Sequence, residues 1–201
     1  MENGIIYRNG REIMPAADIK IPGVHNIENY MAAACATEGL VSDADVDAVA
    51  RSFGGVEHRI ELVRELHGVK YYNDSIASSP SRTIAGLHSF TQKVILIAGG
   101  YDKHIPFDVL GPEVCAHVKT LVLCGATAGK IRAAVENAPE YQKGTPEILE
   151  ANNLREAVEL AKHAAEAGDV VTLSPACAAF DQFKNFAVRG KTFKEIVNSL
   201  T

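Results

Sequence analysis

No apolar run in this 201-residue sequence approaches the ~18 residues that a membrane-spanning helix requires. Met1 to Lys20 lacks the basic, then apolar, order of a secretory leader, so a cytoplasmic protein is expected. Excess positive charge is missing too. Twenty Lys and Arg stand against 25 Asp and Glu, a net charge of −5, which removes the electrostatic reason to bind nucleic acid or an anionic membrane. A nucleotide remains possible, because a helix N-terminus and one or two basic side chains suffice for a phosphate. The four cysteines, Cys35, Cys115, Cys124 and Cys177, lie among Ala, Val, Leu or Pro without paired metal-ligand spacing, and read as reduced, mostly buried thiols. His67, His88, His104, His117 and His163 form no metal-like cluster in the sequence, and there is no tryptophan, internal repeat or low-complexity tract.

What is present is patterned. Ile5-Ile6-Tyr7 and Glu12-Ile13-Met14 flank Asn9-Gly10, the dipeptide that best tolerates positive φ at both centres of a tight turn, so the chain opens with a β-hairpin. Ile19-Lys20-Ile21 suits a short third strand. After Pro22-Gly23, Asn26 to Gly39 reads as an Ala-rich helix. A second helix starts at Ser42, pairs with Asp45 as a capping box and is expected to bury Val46, Val49, Ala50 and Phe53 as one stripe. Gly54-Gly55 marks a hinge or domain boundary. Beyond it, Arg59 to Leu66 and Val69 to Tyr72 read as strands joined at His67-Gly68. Val94 to Ala98, Leu121 to Cys124 and Val170 to Leu173 are continuous apolar runs of the buried parallel type, with a weaker strand at Glu147 to Leu149. Helices are expected over Ala126 to Asn137, Leu154 to Ala167 and Asp181 to Leu200, with Ser79-Pro80 opening another. Alternation of this kind folds into a Rossmann-like α/β domain, an open, mostly parallel sheet with helices on both faces, here preceded by a hairpin and two helices.

Each strand of that sheet ends in polar or glycine-rich peptide: Asn73-Asp74-Ser75, Gly99-Gly100-Tyr101-Asp102-Lys103, Gly125-Ala126-Thr127 and Ser174-Pro175-Ala176-Cys177-Ala178. In an open α/β sheet the carboxyl ends of the strands carry the ligand crevice, so these peptides, with Ser78, share one candidate rim. The alternative for Asn73 to Ser78 is an ordinary strand-to-helix turn. Gly125 to Lys130 mimics a phosphate-binding P-loop but is one residue short between its glycines and has Ile131 where Ser or Thr must meet Mg²⁺, so it reads as a turn feeding a helix. No dinucleotide-type glycine fingerprint follows any strand. Two readings stay open for several other residues. His58-Arg59 is either plain surface or a phosphate contact. Asn26 and Asn29 are either first-turn capping residues or a polar pair on one helix face. Lys103 is either solvated or paired with a carboxylate in the crevice.

Gly23-Val24-His25-Asn26-Ile27-Glu28-Asn29, Glu57-His58-Arg59-Ile60-Glu61, Tyr72-Asn73-Asp74-Ser75, Gly99-Gly100 with Lys103, and Leu173 through Phe183 to Arg189-Gly190 closely resemble the Mur ligases. Within that family the match is to the members that join D-glutamate to UDP-N-acetylmuramoyl-L-alanine in peptidoglycan synthesis. The resemblance implies ATP and Mg²⁺ as cofactors and an acyl phosphate as intermediate. It also implies a fragment: residues 1–55 as the tail of a central ATP-binding domain, 56–201 as the amino-acid-binding C-terminal domain, with the P-loop and Mg²⁺ ligands elsewhere. The fragment alone is therefore expected to be inactive, and it contains no assigned catalytic residue or metal ligand. By resemblance, Asn26 and Asn29 lie near the adenine, Arg59 with His58 near the phosphates, and Asp74 near the ribose. Ser78, Lys103, Phe180 and Phe186 surround D-glutamate, and Ala179 lies at a position that can be a serine touching the glutamate carboxylate. Ile76 stands where lysine can occur. The competing reading is a stand-alone α/β module that binds an amino acid or nucleotide without catalysis.

Overall fold

The computed structural model describes residues 1–21 and 23–201, with only the backbone of His25; Pro22 and the His25 side chain lie outside the described residues. The chain divides into two compact units, Met1–Gly55 and Val56–Thr201.

In the first unit, β1 (Ile5–Arg8) and β2 (Arg11–Pro15) form the expected hairpin. Asn9 and Gly10 have φ of 52° and 76°, the two positive values that such a turn needs. The suggested third strand at Ile19 to Ile21 does not form; a 3₁₀ turn at Ala16–Asp18 turns the chain away, and the sheet has two strands. Helix α1 (Val24–Ala36) starts two residues earlier than expected and ends three residues earlier, with Gly23 at its N-cap. Helix α2 (Asp43–Ser52) carries the capping box, the Asp45 amide donating to Ser42 Oγ and the Ser42 amide to Asp45 Oδ2. Val46 and Ala50 are buried, but Val49 and Phe53 are 52% and 40% exposed and line an apolar groove with Tyr30, Ala33 and Thr37. The stripe is only half covered: the unit's main buried cluster, Ile6, Met14, Ala16, Ile19 and Ala50, takes only its inner edge.

The second unit is a six-stranded sheet in the order β3-β4-β8-β5-β6-β7. β3 (Glu61–Leu66) runs antiparallel to β4 (Val69–Asn73) through the His67-Gly68 turn, and β4, β8 (Val170–Leu173), β5 (Val94–Ala98), β6 (Val118–Cys124) and β7 (Glu147–Ala151) are mutually parallel. Strand alternation divides the core. Ile95, Ile97, Val122, Val171 and Leu173 face α6 (Leu154–Ala164) and α7 (Phe186–Ser199), meeting Ala157, Val158, Phe193, Ile196 and Val197. Val94, Leu96, Ala98, Leu121 and Leu123 face the other way, onto Leu87 of α3 (Pro80–Leu87), Leu110 and Val114 of α4 (Leu110–His117), and Ile131 and Val135 of α5 (Ala128–Glu136). With both faces covered, the central strands are wholly buried, as their unbroken apolar sequences require.

Other helix ends also depart from expectation, α5 starting at Ala128 and not Ala126. The last helix begins at Phe186, not Asp181, because Asn185 caps it by accepting from the Val188 amide at 2.9 Å. Helix α6 ends at Ala164, and Ser79 precedes α3 without a side-chain cap, its Oγ lying 3.3 Å from Ser81 Oγ instead. Among the described residues no helix is long and apolar enough to cross a membrane.

Candidate functional site: the carboxyl rim of the sheet

Strand β8 is followed by a helix on one face, whereas its neighbours β4 and β5 are followed by helices on the other. Connections that part in this way leave a crevice at the carboxyl ends of the strands. The four peptides singled out in the sequence meet there and are stitched laterally by backbone hydrogen bonds: Asp74 N–H to Leu173 O at 2.8 Å, Ser174 N–H to Ile97 O at 3.2 Å, Gly99 N–H to Pro175 O at 2.9 Å, Tyr101 N–H to Ala178 O at 2.9 Å, and Thr127 N–H to Gly100 O at 3.1 Å. Gly99 is required at this junction. Its φ is +114°, and a Cβ there would lie 1.9 Å from Cys124 O.

Asp74 is anchored inward. Its Oδ2 accepts from Ser174 Oγ at 2.8 Å and its Oδ1 from the Ile60 amide at 3.3 Å, and the residue is 4% exposed. Burial raises its pKa from 3.8 to about 6, against the opposing pull of those hydrogen bonds and of the Arg59 and Arg82 charges. Ser174 Oγ, whose one proton goes to Asp74, lies 3.1 Å from Thr83 Oγ1, which donates to Ser174 O at 3.2 Å and accepts from the Ala176 amide.

Arg189, three residues into α7, holds the rim from the other side. Its guanidinium, 3% exposed, donates to Ser75 O at 2.9 Å, Ser75 Oγ at 3.0 Å, Cys177 O at 3.0 Å and Ala178 O at 3.1 Å. Desolvation lowers its pKa to about 10, so it stays charged at neutral pH. Ser75 Oγ in turn donates to Phe186 O at 2.8 Å. Asn73 donates to Glu61 Oε2 at 3.1 Å and lies 2.9 Å from His58 Nδ1, whose ring packs edge-on against Phe186 at 6.0 Å. That ring fits only because residue 190 is glycine: a Cβ there would lie 2.3 Å from His58 Nδ1. Cys124 and Cys177, below the rim, have thiols pushed up to about 11 by burial, which leaves them unsuited as nucleophiles.

The structure thus gathers His58, Asp74, Ser78, Lys103, Ala179, Phe180 and Phe186 in one unit along one rim. Their exposures divide them. His58, Asp74 and Ala179 are buried, Ser78 is half-buried, and Arg59, Lys103, Phe180 and Phe186 face solvent. Lys103 has no hydrogen bond or ion pair among the described residues, while its neighbour Asp102 is taken by Lys130 at 2.5 Å. Tyr101 and Phe180 meet edge-on at 5.9 Å, both exposed. Asn26 and Asn29 belong to the first unit, on α1, where Asn26 is buried and Asn29 exposed. The P-loop lookalike holds no open phosphate cradle: the Ala126 amide donates to Asp181 Oδ2 at 3.2 Å and Lys130 is the partner of Asp102.

The sequence put Tyr101 and Ser174 in the rim peptides and Arg189 in a family motif, but assigned no contact to any of them and no place to Thr83. An arginine within an otherwise core-facing helix was the signal available for Arg189, since buried arginine needs partners. Glu57, His58 and Glu61 place donor atoms within 4.8 Å of one another, yet Lys194 Nζ already lies 2.5 Å from Glu61 and 3.2 Å from Glu57 and supplies the positive charge a metal would bring.

Residues 58–177 match the family model of the Mur ligase, glutamate ligase domain. The chain is 55% identical over 200 residues to the UDP-N-acetylmuramoylalanine--D-glutamate ligase of Clostridium beijerinckii and 57% identical over 201 residues to that of Acetivibrio thermocellus, covering 99% and 98% of this chain. It spans 43% of the length of each. In fold it resembles a pseudomurein peptide ligase type C from Methanothermus fervidus, with TM-score 0.67 and 14% identity over 100% of this chain and 41% of that one. It also resembles the UDP-N-acetylmuramate-alanine ligase MurC of Thermotoga maritima, with TM-score 0.66 and 16% identity over 90% and 39%. A sheet of this order, its rim built from the four motif peptides and a family match over most of the second unit together place the chain in the Mur ligase family.

Proposed function

We propose that the chain is the C-terminal part of an ATP-dependent ligase that adds D-glutamate to UDP-N-acetylmuramoyl-L-alanine. In this reading Met1–Gly55 is the tail of the central ATP-binding domain and Val56–Thr201 receives the amino acid. The carboxylate of UDP-N-acetylmuramoyl-L-alanine takes the γ-phosphoryl of ATP to become an acyl phosphate, and ADP leaves. The amine of D-glutamate then attacks the acyl carbon, the amide bond forms, the C–O bond to phosphate breaks and the amine loses a proton. Asn26 and Asn29 serve the adenine, Arg59 with His58 the phosphates, and Asp74 the ribose side. With its carboxylate turned onto Ser174 and Ile60, Asp74 acts there by holding the turn. The acidic pair Glu57 and Glu61 is already neutralised by Lys194, so the Mg²⁺ of such a reaction is not assigned to residues of this chain and no step is routed through it.

One observation carries the amino-acid half of the reading. Lys103 stands exposed and unpaired among the described residues in the peptide that follows β5, two residues after Tyr101, whose ring meets that of Phe180, with Ser78 on the same rim. An ammonium in that position can take a carboxylate of D-glutamate while the rings limit its approach. The contribution is positional, and holding amine against acyl phosphate can offset up to roughly 7 to 11 kcal/mol of barrier. The chain alone, given UDP-N-acetylmuramoyl-L-alanine, ATP, Mg²⁺ and D-glutamate, should release no ADP; turnover would overturn the fragment reading. In a ligase that contains this segment, Lys103→Ala should slow amide formation while acyl phosphate, trapped with hydroxylamine, still accumulates. Equal loss of both steps would refute the carboxylate role.

A further inference from the structure

We propose that His88, Glu113 and His117 form a binding site for a divalent ion of the zinc class, on the side of the sheet opposite the ligation rim and independent of that chemistry. His88 is the C-cap of α3, and Glu113 and His117 are one turn apart on α4. Helix α3 descends from the carboxyl end of β4, and α4 runs directly into Val118, the first residue of β6, so all three side chains gather at the amino ends of the strands. They are far apart in sequence, which is why the histidines looked unclustered there.

Glu113 Oε2 lies 2.6 Å from His88 Nε2 and 3.5 Å from His117 Nε2, the imidazole centroids are 4.9 Å apart, and one donor atom from each residue lies within 4.8 Å of the others. Two imidazoles and a carboxylate are a donor set that suits Zn²⁺, with water completing a tetrahedron. With Zn–N and Zn–O bonds of about 2.0 to 2.2 Å, tetrahedral donors stand about 3.3 Å apart. The 3.5 Å pair already has that spacing and the 2.6 Å pair needs only a small opening. The backbones are fixed: Leu87 of α3 and Val114 and Cys115 of α4 share one buried cluster. The donor side chains are 50%, 32% and 36% exposed, so an ion can enter and the side-chain tips can adjust without disturbing the core. Unlike Glu57, His58 and Glu61, this trio has no lysine seated on its carboxylate. The ion would cross-link α3 to α4.

The full chain, stripped with a chelator and titrated with Zn²⁺ by calorimetry, should take up a single equivalent. Co²⁺ in its place should give the visible absorption of a tetrahedral centre. His88→Gln and His117→Gln should each lower the affinity by roughly tenfold or more and abolish the Co²⁺ band, with unchanged circular dichroism, whereas His163→Gln, on exposed α6 surface, should change neither. Zn²⁺ should raise the melting temperature of the unaltered chain but not of the His88→Gln/His117→Gln variant. A hydrogen-bonded His–carboxylate cluster without metal affinity would show no saturable uptake. That outcome, or an equivalent that survives the double variant or is lost in Glu57→Gln instead, would overturn the proposal.

Discussion

Replacing Asp74 by asparagine should stabilise the protein at neutral pH, although the residue makes two buried hydrogen bonds. The carboxyl group is 4% exposed and burial lifts its pKa from 3.8 to about 6. The folded state therefore holds the Asp74 proton more tightly than the unfolded chain does. The stability this group confers is fully present below about pH 4 and is lost as the pH rises through about 6. Two units of difference at about 1.4 kcal/mol each make the ionised carboxylate cost about 3 kcal/mol at pH 7 relative to its neutral form. Asparagine removes the charge and keeps the network. Its Oδ1 accepts from the Ile60 amide and its Nδ2 donates to Ser174 Oγ, whose own proton is then free for Thr83 Oγ1 at 3.1 Å. Urea unfolding followed by far-ultraviolet circular dichroism between pH 4 and 7.5 should show Asp74→Asn matching the parent at pH 4 and exceeding it by up to about 3 kcal/mol at pH 7. A difference that is constant with pH, or that favours the parent most at neutral pH, would refute the argument.

Arg189→Met should destabilise by at least about 3 kcal/mol, since it leaves Ser75 O and Cys177 O without their donor and Ala178 O with only the Tyr101 amide; a loss below about 1 kcal/mol in urea unfolding would show that water replaces it. Gly99→Ala should cost more than about 4 kcal/mol or prevent folding, because a Cβ meets Cys124 O at positive φ, whereas Gly129→Ala, with open space around it in α5, should stabilise by about 0.5 kcal/mol. Thermal melts of the two variants should therefore move in opposite directions. Ser42→Ala should cost about 1 kcal/mol through loss of the α2 capping box, read as a lower melting temperature of the first unit.

Those elements whose causes are local were legible in the sequence. Asn9-Gly10 and His67-Gly68 announced their turns, Ser42 and Asp45 their helix start, and the apolar runs at Val94, Leu121 and Val170 their burial on both faces. Helix α4 was missed, since its first turn reads Leu-Gly-Pro and propensity opposes it. The glycine there serves packing instead: a Cβ on Gly111 would lie 2.2 Å from Ala134 O of α5, so a glycine that weakens the helix alone lets it pack closely against its neighbour. Val49 and Phe53 were misjudged for the converse reason. Their helical spacing is correct, but spacing cannot say whether a partner covers the stripe.

The candidate rim was located by the same local logic, because the strand-end rule needs only the strands and the direction in which they run. Its internal wiring was not legible, and the separations explain why. Asp74 is held by Ser174, one hundred residues on; Arg189 binds Ser75 across 114 residues; His88 meets Glu113 across 25 residues that include β5. Nothing in the neighbourhood of either partner signals the other. Burial then decides what each group does. The Asn73-Asp74-Ser75 peptide is buried throughout and Ser78 beyond it is half-buried, although the family resemblance put both Asp74 and Ser78 on ligand. The structure separates the two duties. Exposed on this rim are Arg59, Lys103, Phe180 and Phe186, and buried in the hydrogen bonds that hold it together are Asp74, Ser75, Ser174 and Arg189. Substitutions in the first group should therefore alter ligand binding with little change in stability, and those in the second should alter stability first.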